Sequence, residues 1–418
     1  MKPNKISVFE YSRLKTGCEY NGVAFTPALL ESLERFHTSS KTRYFNLIHN
    51  GVEFCEYVGV IQVDGIQIEV LPKLDSNGDD VNAWRDRLVG MLREVGMFRV
   101  SAPSSSMLTL RSNSILELYF DLFITEVEYL IRTGLVKQYR RQTRNQTSLK
   151  GSLDFPRHLS QNLIHKERFL TNTSVYDQDH VWHRIISQTI SLIRLLSQNT
   201  KIHNRIGALQ LGFPEVSGQT ISEITFNKLV YTRKTEGYRT AIEIARLLLL
   251  GFHPDLSAGS NQVLALMFDM NLLWESFIYH SLRKQFIREG SGWVVIAQRS
   301  TAFWSSRACR TSLRPDILIE TGKGCKFILD TKWKHPVDNK PSSTDLQQLF
   351  AYSRFFDTNN TALVYPGSQK GFSRGDYAPI RGCDDKVSCS VINLEVEPQI
   401  REWQATISRT ITDWMKSV

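Results

Sequence analysis

Between positions 313 and 334 the chain reads LRPDILIETGKGCKFILDTKWK, two apolar runs joined by a glycine-containing turn. Such runs predict a β-hairpin, 313–320 against 325–332, with 321–324 as the turn. Each run carries one carboxylate, Asp316 and Asp330. Asp is depleted in strands and rarely buried unpaired. A surface hairpin with solvated charges would leave both acids inside apolar runs without a reason. Side chains at i and i+2 share a strand face, so Lys332 points with Asp330 toward whatever Asp316 faces. Adjacent carboxylates repel, and a hard divalent cation relieves the repulsion. Mg²⁺ keeps several waters, so two or three carboxylate or carbonyl oxygens are enough. Asp316 and Asp330, with the Thr331 carbonyl, are the candidate ligands, and Mn²⁺ is a possible substitute. Lys332 is placed to orient an attacking water and to offset phosphoryl charge.

Pro315-Asp316, thirteen residues, then Asp330-Thr331-Lys332 resembles the pattern of the PD-(D/E)xK nuclease superfamily. The motif is short and degenerate. Its placement on a predicted hairpin adds weight.

At 418 residues the chain is long enough for two or three domains, and 41% hydrophobic residues supply real cores. No apolar run reaches membrane-span length, the longest, 244–252, being interrupted by Arg246. The start, MKPNKISVFEYS, has no apolar signal-peptide region. Six cysteines are scattered without CxxC or zinc spacing, which fits free thiols in a cytoplasmic protein. The formal charge of +9 mildly favours polyanionic partners.

Residues 1–75 read as β-rich, with one short helix at 29–36. In YVGVIQVDGIQIEVLPKLD, 57–75, Asp64-Gly65 is a two-residue hairpin signal. Gln67 and Glu69 alternate with Ile66, Ile68 and Val70, giving one apolar face. Helical periodicity follows at 84–98 and 115–131, where Glu117, Asp121, Glu126 and Glu128 read as solvated.

The stretch KQYRRQTRNQTSLK, 137–150, is strand-like and carries five basic residues and no acid. Lys137, Arg140, Arg141, Arg144 and Lys150 are candidates for phosphate contacts, although a solvated basic hairpin reads the same way. A helix at 180–197 follows. A metal site can be drawn from Asp177, Asp179, His180 and His183, but helix N-termini collect acids anyway and no HExxH is present.

The run 263–288 predicts one long helix with an apolar stripe through Leu266, Met270, Leu273, Phe277 and Leu282. Glu275 beside that stripe is a candidate further carboxylate for the site. Arg299, Arg307, Arg310 and Arg314, interleaved with Phe303 and Trp304, suit a nucleic-acid backbone. Helix 345–356, capped by Ser343 or Thr344, sets Gln348 and Tyr352 on one side as accessory candidates. Strands at 362–365 and 387–394 and a last helix at 400–415 complete an α/β nuclease-like order.

Taken together, RPDILI (314–319), ILDTKWK (328–334), DLQQLFAY (345–352), YVGVIQVDGIQIEVLPK (57–73), YRRQTRNQTSLKGSLDF (139–155) and FDMNLLWESFI (268–278) resemble the McrC family. McrC is the nuclease subunit of McrBC-type modification-dependent restriction systems. The resemblance covers nearly the whole chain. It implies Mg²⁺-dependent DNA cleavage by Asp316, Asp330 and Lys332, only together with a ring-forming McrB-like AAA+ GTPase. It implies that the N-terminal part enters the ring and stimulates GTP hydrolysis, with Asp64 and Gly65 in the partner-facing domain. The DNA would be double-stranded and cytosine-modified, with base recognition usually left to the partner. One departure is His183-Arg184 where relatives often carry Asn-Arg. No GxxxxGK[ST] occurs, so this chain is not expected to bind the nucleotide itself.

The expected fold is a multidomain α+β or α/β chain. It comprises a β-rich domain at 1–105 engaging the partner, a helical middle with a basic β segment at 106–258, and a PD-(D/E)xK endonuclease core at 259–418. That core would have a mixed sheet flanked by helices. The competing reading is a non-catalytic regulatory or DNA-binding partner of an AAA+ motor, with no membrane involvement in either case.

Overall fold

The computed structural model describes residues 5–40, 42–63, 65–73, 80–96, 114–218, 220–254, 262–306, 309–322, 324–334, 340–367, 371–378 and 387–418. The chain forms two compact units, Met1–Phe98 with Asp255–Val418, and Arg99–Pro254. The expected boundary near Ser105 falls outside the described residues.

In the first unit Lys5–Phe9 pairs in parallel with Ile66–Leu71, which pairs antiparallel with Tyr57–Val63. Gln62 faces Gln67 and Val63 faces Ile66, and Gly65 sits at φ +79°. Asp64 lies outside the described residues. One face is apolar, and the opposite, polar face is covered as well. Ile61, Val63, Ile68 and Val70 join a core with Phe25, Leu29, Leu33 and Phe54. On the other face Gln62, Gln67 and Glu69 are also buried. Glu69 is tolerated there because Lys5 Nζ lies 2.8 Å and Arg85 Nη2 2.6 Å from its Oε2. Arg85 belongs to the helix Val81–Glu94.

The predicted helix at 263–288 is also corrected. Its first part is a strand, Gln262–Asp269, paired antiparallel with Tyr57–Val63. The helix is Met270–Glu289, started by Asp269, whose carboxylate accepts the amides of Asn271 and Leu272. A short apolar run does not distinguish strand from helix, and the open edge of the N-terminal sheet decided this one. The two strands pass so closely at Gly59 (φ +140°) that a Cβ there would stand 2.1 Å from the Leu266 carbonyl oxygen.

The second sheet has the spatial order Val294–Ala297, Ile317–Glu320, Lys326–Thr331, Thr361–Gly367, Ser388–Glu395, Gly371–Asp376. It is mixed, with Lys326–Thr331, Thr361–Gly367 and Ser388–Glu395 parallel and the remaining pairings antiparallel. Helix Ser343–Phe356 covers one face, packing Leu349, Tyr352 and Phe356 on Leu318, Ile328 and Leu363. Its cap is Ser342, whose Oγ accepts the Asp345 amide at 3.2 Å, rather than Ser343 or Thr344. Helix Ile400–Ser417 packs Trp414 against Phe327 and Trp403 against Trp274 and Phe277 of Met270–Glu289.

The second unit combines helices Ile115–Thr133, Val181–Leu196, Thr200–Gly212 and Arg239–Gly251 with a small sheet. In that sheet Phe169–Asp177 lies between Ser152–Leu153 and Gln138–Gln146. The acids expected to be solvated on Ile115–Thr133 are not all so. Glu126 is fully buried. Arg205 is clamped by Asp121 and by Glu128 at 2.9 Å. The drawn metal set does not assemble either. His183 Nδ1 lies 2.6 Å from the Gln178 carbonyl and Nε2 2.9 Å from Tyr238 Oη. His180 Nε2 meets the Val136 carbonyl, and Asp177 and Asp179 pair with Arg140. Burial drives the His183 pKa down to about 4, which suits a neutral structural imidazole.

Across the whole chain this is a multidomain α+β fold with a β-rich N-terminal region, a helical middle and a C-terminal mixed sheet between helices. No described helix is long and apolar enough to cross a membrane.

Candidate active site

The predicted hairpin forms with Ile317 opposite Leu329 and Leu318 opposite Ile328. Continuing that register by one residue sets Asp316 opposite Asp330. Asp316 leaves the strand behind Pro315, and its Oδ2 accepts two hydrogen bonds from Thr331, one from the amide at 2.7 Å and one from Oγ1 at 2.9 Å. Thr331 therefore orients the opposing carboxylate, a role the sequence did not assign to it.

Asp330 is 0% exposed in the centre of the sheet. Lys332 Nζ approaches its Oδ2 to 2.8 Å as an ion pair. The other carboxylate oxygen, Oδ1, is buried without a hydrogen bond. Burial, then the neighbouring Asp316 charge, raises the Asp330 pKa to about 6. Burial also raises Asp316, against the pull of Thr331 and Lys332. Burial works against the Lys332 charge, but Asp330 and Asp316 outweigh it and hold its pKa above the ordinary value.

Glu275 projects from Met270–Glu289 into the same electrostatic neighbourhood. Burial, reinforced by Asp316 and Asp330, raises its pKa to about 7. Its Oε1 accepts a hydrogen bond from the side-chain Nε2 of Gln298 at 2.6 Å. Gln298 was not singled out from the sequence. It ends Val294–Ala297 in the left-handed region (φ +54°), and its own amide binds the Asp316 carbonyl at 2.9 Å. Such a conformation persists in a non-glycine residue only where neighbours hold it. Glu275 and Gln298 also line a cleft of about 500 Å³ with Asp269 and Leu272.

Gln348 and Tyr352 meet as expected, Nε2 to Oη at 2.7 Å, but Tyr352 is buried and its hydroxyl donates to the Arg314 carbonyl at 3.0 Å. Tyr352 thus fixes the backbone just before Pro315-Asp316. Asp345, on the same helix, takes Lys334 Nζ at 2.6 Å.

The donor set is oxygen-only and includes a buried carboxylate with one oxygen, Asp330 Oδ1, left without a hydrogen bond, which suits a hard cation that retains water. Among the described residues no group of three or more His, Cys, Asp or Glu side chains is arranged to hold a metal ion.

The candidate DNA contacts divide. Arg310 and Arg314 are exposed beside the hairpin, Arg299 is tied to Glu320 at 2.6 Å, and Arg307 lies outside the described residues. Phe303 and Trp304 are exposed on a two-stranded ribbon, Thr301–Ser305 against Arg310–Leu313. In the second unit Lys137, Arg141, Arg144 and Lys150 are exposed. Arg140 instead bridges Asp177 at 2.9 Å and Asp179 at 3.0 Å.

Solved structures share the fold. A chain of the refined half-complex from the tetradecameric assembly of Thermococcus gammatolerans McrB AAA+ hexamers with bound McrC matches with a TM-score of 0.68. At 18% identity the match covers 98% of this chain and 99% of that one. A chain of the Thermococcus gammatolerans McrBC complex matches with a TM-score of 0.51 and 19% identity, over 68% of this chain and 88% of that one. Among curated proteins none matches. The family model described as McrBC 5-methylcytosine restriction system component matches residues 52–366. The chain belongs to the family of McrBC 5-methylcytosine restriction system components.

Proposed function

We propose that this chain is the McrC-type nuclease subunit, an Mg²⁺-dependent DNA endonuclease working with a ring-forming AAA+ GTPase. The observation that carries the reading is the buried Asp330 carboxylate opposite Asp316, with Lys332 2.8 Å from its Oδ2 and its Oδ1 without a hydrogen bond. A buried carboxylate oxygen without a hydrogen bond is costly and calls for a further partner. Asp316, Asp330 and the Thr331 carbonyl would hold Mg²⁺, with Glu275 beside them and Mn²⁺ as a substitute. When bound, the cation supplies Lewis acidity toward the phosphate and an activated water.

Lys332 orients that water and offsets negative charge on the phosphoryl group. Hydrolysis forms one P–O bond from the water and breaks the P–O bond to the leaving oxygen, which takes a proton. Glu275, with its pKa near 7, is able to hold or release a proton near neutrality. Arg310 and Arg314, with Arg141, Arg144, Lys137 and Lys150, supply phosphate contacts.

Two observations support the C-type assignment and the AAA+ partner. The chain has no GxxxxGK[ST] loop for its own nucleotide. The fold matches a chain from assemblies of McrB AAA+ hexamers with McrC. The N-terminal sheet, with Gly65 at its hairpin turn, is the part proposed to face that ring. The absence of three preassembled metal-binding side chains among the described residues favours, as a second reading, a regulatory partner that does not cut.

Cleavage of cytosine-methylated and unmethylated plasmid with Mg²⁺, AAA+ partner and GTP or ATP separates the two. Cutting that is lost in Asp330→Ala and Lys332→Ala, with DNA binding kept, is the expected result. Stimulated nucleotide hydrolysis without cutting under any condition would favour the regulatory reading.

A further inference from the structure

The residue after Lys332 connects the candidate site to the N-terminal sheet. Trp333 is buried, and its indole Nε1 donates to Glu10 Oε1 at 2.7 Å. The same oxygen accepts the Lys73 amide at 2.7 Å. Glu10 directly follows the strand Lys5–Phe9, and its amide binds the Leu71 carbonyl at 2.9 Å. It is 1% exposed, and its Oε2 has no hydrogen bond. The next residue, Tyr11, turns the chain in the left-handed region at φ +61°. A buried carboxylate held behind a strained turn is a costly arrangement, and Trp333 is the side chain it meets from the catalytic half.

Trp333 is held from other sides as well. Its amide donates to Asn271 Oδ1 at 3.3 Å. Its ring meets Trp274 at 5.3 Å and Trp84 at 6.2 Å, both edge-on. Asn271 and Trp274 lie in the first turns of the helix that carries Glu275. That helix grows directly out of the N-terminal sheet, and Met270 donates its amide to the Glu56 carbonyl at 3.0 Å. Both segments bearing candidate catalytic groups, 330–333 and 270–275, are therefore moored to the same sheet.

We propose that Glu10 is a positioning residue. Through Trp333 it fixes the backbone of Asp330-Thr331-Lys332, so the N-terminal sheet is part of the catalytic module rather than only a surface for a partner. The inference rests on the nuclease reading above and extends it. Misplacing a catalytic group by about 1 Å costs on the order of a hundredfold in rate, so a strut on the residue next to Lys332 has ample leverage.

The test uses the full chain in complex with its AAA+ partner, carrying Glu10→Gln, Glu10→Ala or Trp333→Phe. Glu10→Gln keeps the acceptor. Glu10→Ala removes it, and Trp333→Phe removes only the donor while keeping an aromatic ring. Two quantities are read: hydrogen–deuterium exchange of the amides at 330–334, and single-turnover DNA cleavage with its dependence on DNA concentration. The expected result is faster exchange at 330–334 and a cleavage rate lowered about tenfold or more in Glu10→Ala and Trp333→Phe. DNA affinity should be unchanged, and Glu10→Gln should behave as wild type.

Wild-type exchange and cleavage in Trp333→Phe would overturn the strut. So would a Glu10→Ala loss confined to melting temperature. If Asp330→Ala cuts as well as wild type, the nuclease reading falls, while the exchange data still decide whether Glu10 orders the segment.

Discussion

Thr331 and Asp316 are joined twice, by the Thr331 amide and by its hydroxyl, both on Asp316 Oδ2. The middle residue of the Asp330-Thr331-Lys332 triplet is thus what aims the carboxylate of the opposite strand. Thr331→Val removes the hydroxyl and keeps the amide. We expect a loss of about 1 kcal/mol in stability and about a tenfold slower cleavage step, with Thr331→Ser close to wild type. Thermal melts and single-turnover cleavage of the complex measure both.

Glu10 carries a pH dependence whose sign is opposite to that of a salt-bridged acid. Burial first of all, with the Glu56 charge adding, lifts its pKa from 4.5 to about 7, against Lys73 and the Trp333 hydrogen bond. The folded state therefore binds this proton more tightly than the unfolded one. Its stabilising contribution is complete below about pH 4.5 and is lost as pH rises to about 7, on the order of 3 kcal/mol at most. Chemical denaturation at several pH values should show a smaller fall over that window in Glu10→Gln than in wild type. Equal slopes would exclude the assignment.

Gly59→Ala is expected to be among the most damaging single-methyl additions in the chain. The new Cβ would stand 2.1 Å from the Leu266 carbonyl oxygen, and the backbone φ of +140° disfavours any side chain. The helix bearing Glu275 follows that strand, so loss of soluble protein or of at least about 2 kcal/mol of stability should be accompanied by loss of cleavage. A variant that melts and cuts like wild type would show that the two strands separate freely.

The basic strand of the second unit should divide into two kinds of arginine. Arg140 holds Asp177 and Asp179, so Arg140→Ala should lower stability more than DNA affinity. Arg141 and Arg144 are exposed and hold no ion pair among the described residues. Replacing both with Ala should weaken DNA binding and reduce the slope of log affinity against log salt by about 1 to 2. Fluorescence anisotropy across a salt series reads the slope, and an unchanged slope would place the DNA elsewhere.

Local sequence determined the hairpin and the pair of carboxylates it carries. The apolar runs around Asp316 and Asp330 and the i+2 spacing to Lys332 are backbone-period features, which need no knowledge of distant contacts. The hairpin turn at Gly65, the basic strand at Gln138–Gln146 and the pairing of Gln348 with Tyr352 were legible for the same reason. Tertiary structure decided what depends on partners remote in the chain. Gln262–Asp269 became a strand because a sheet edge some two hundred residues earlier accepted its hydrogen bonds. Glu69 was buried because Lys5 and Arg85 converge on it, and Arg140 was taken from the surface by Asp177 and Asp179. Gln298 acquired its place through a left-handed turn that brings it to Glu275 and Asp316. Glu10 reached Trp333 across 323 positions, a contact that no local period encodes, because packing of the N-terminal sheet against the segment after Lys326–Thr331 alone brings the two together.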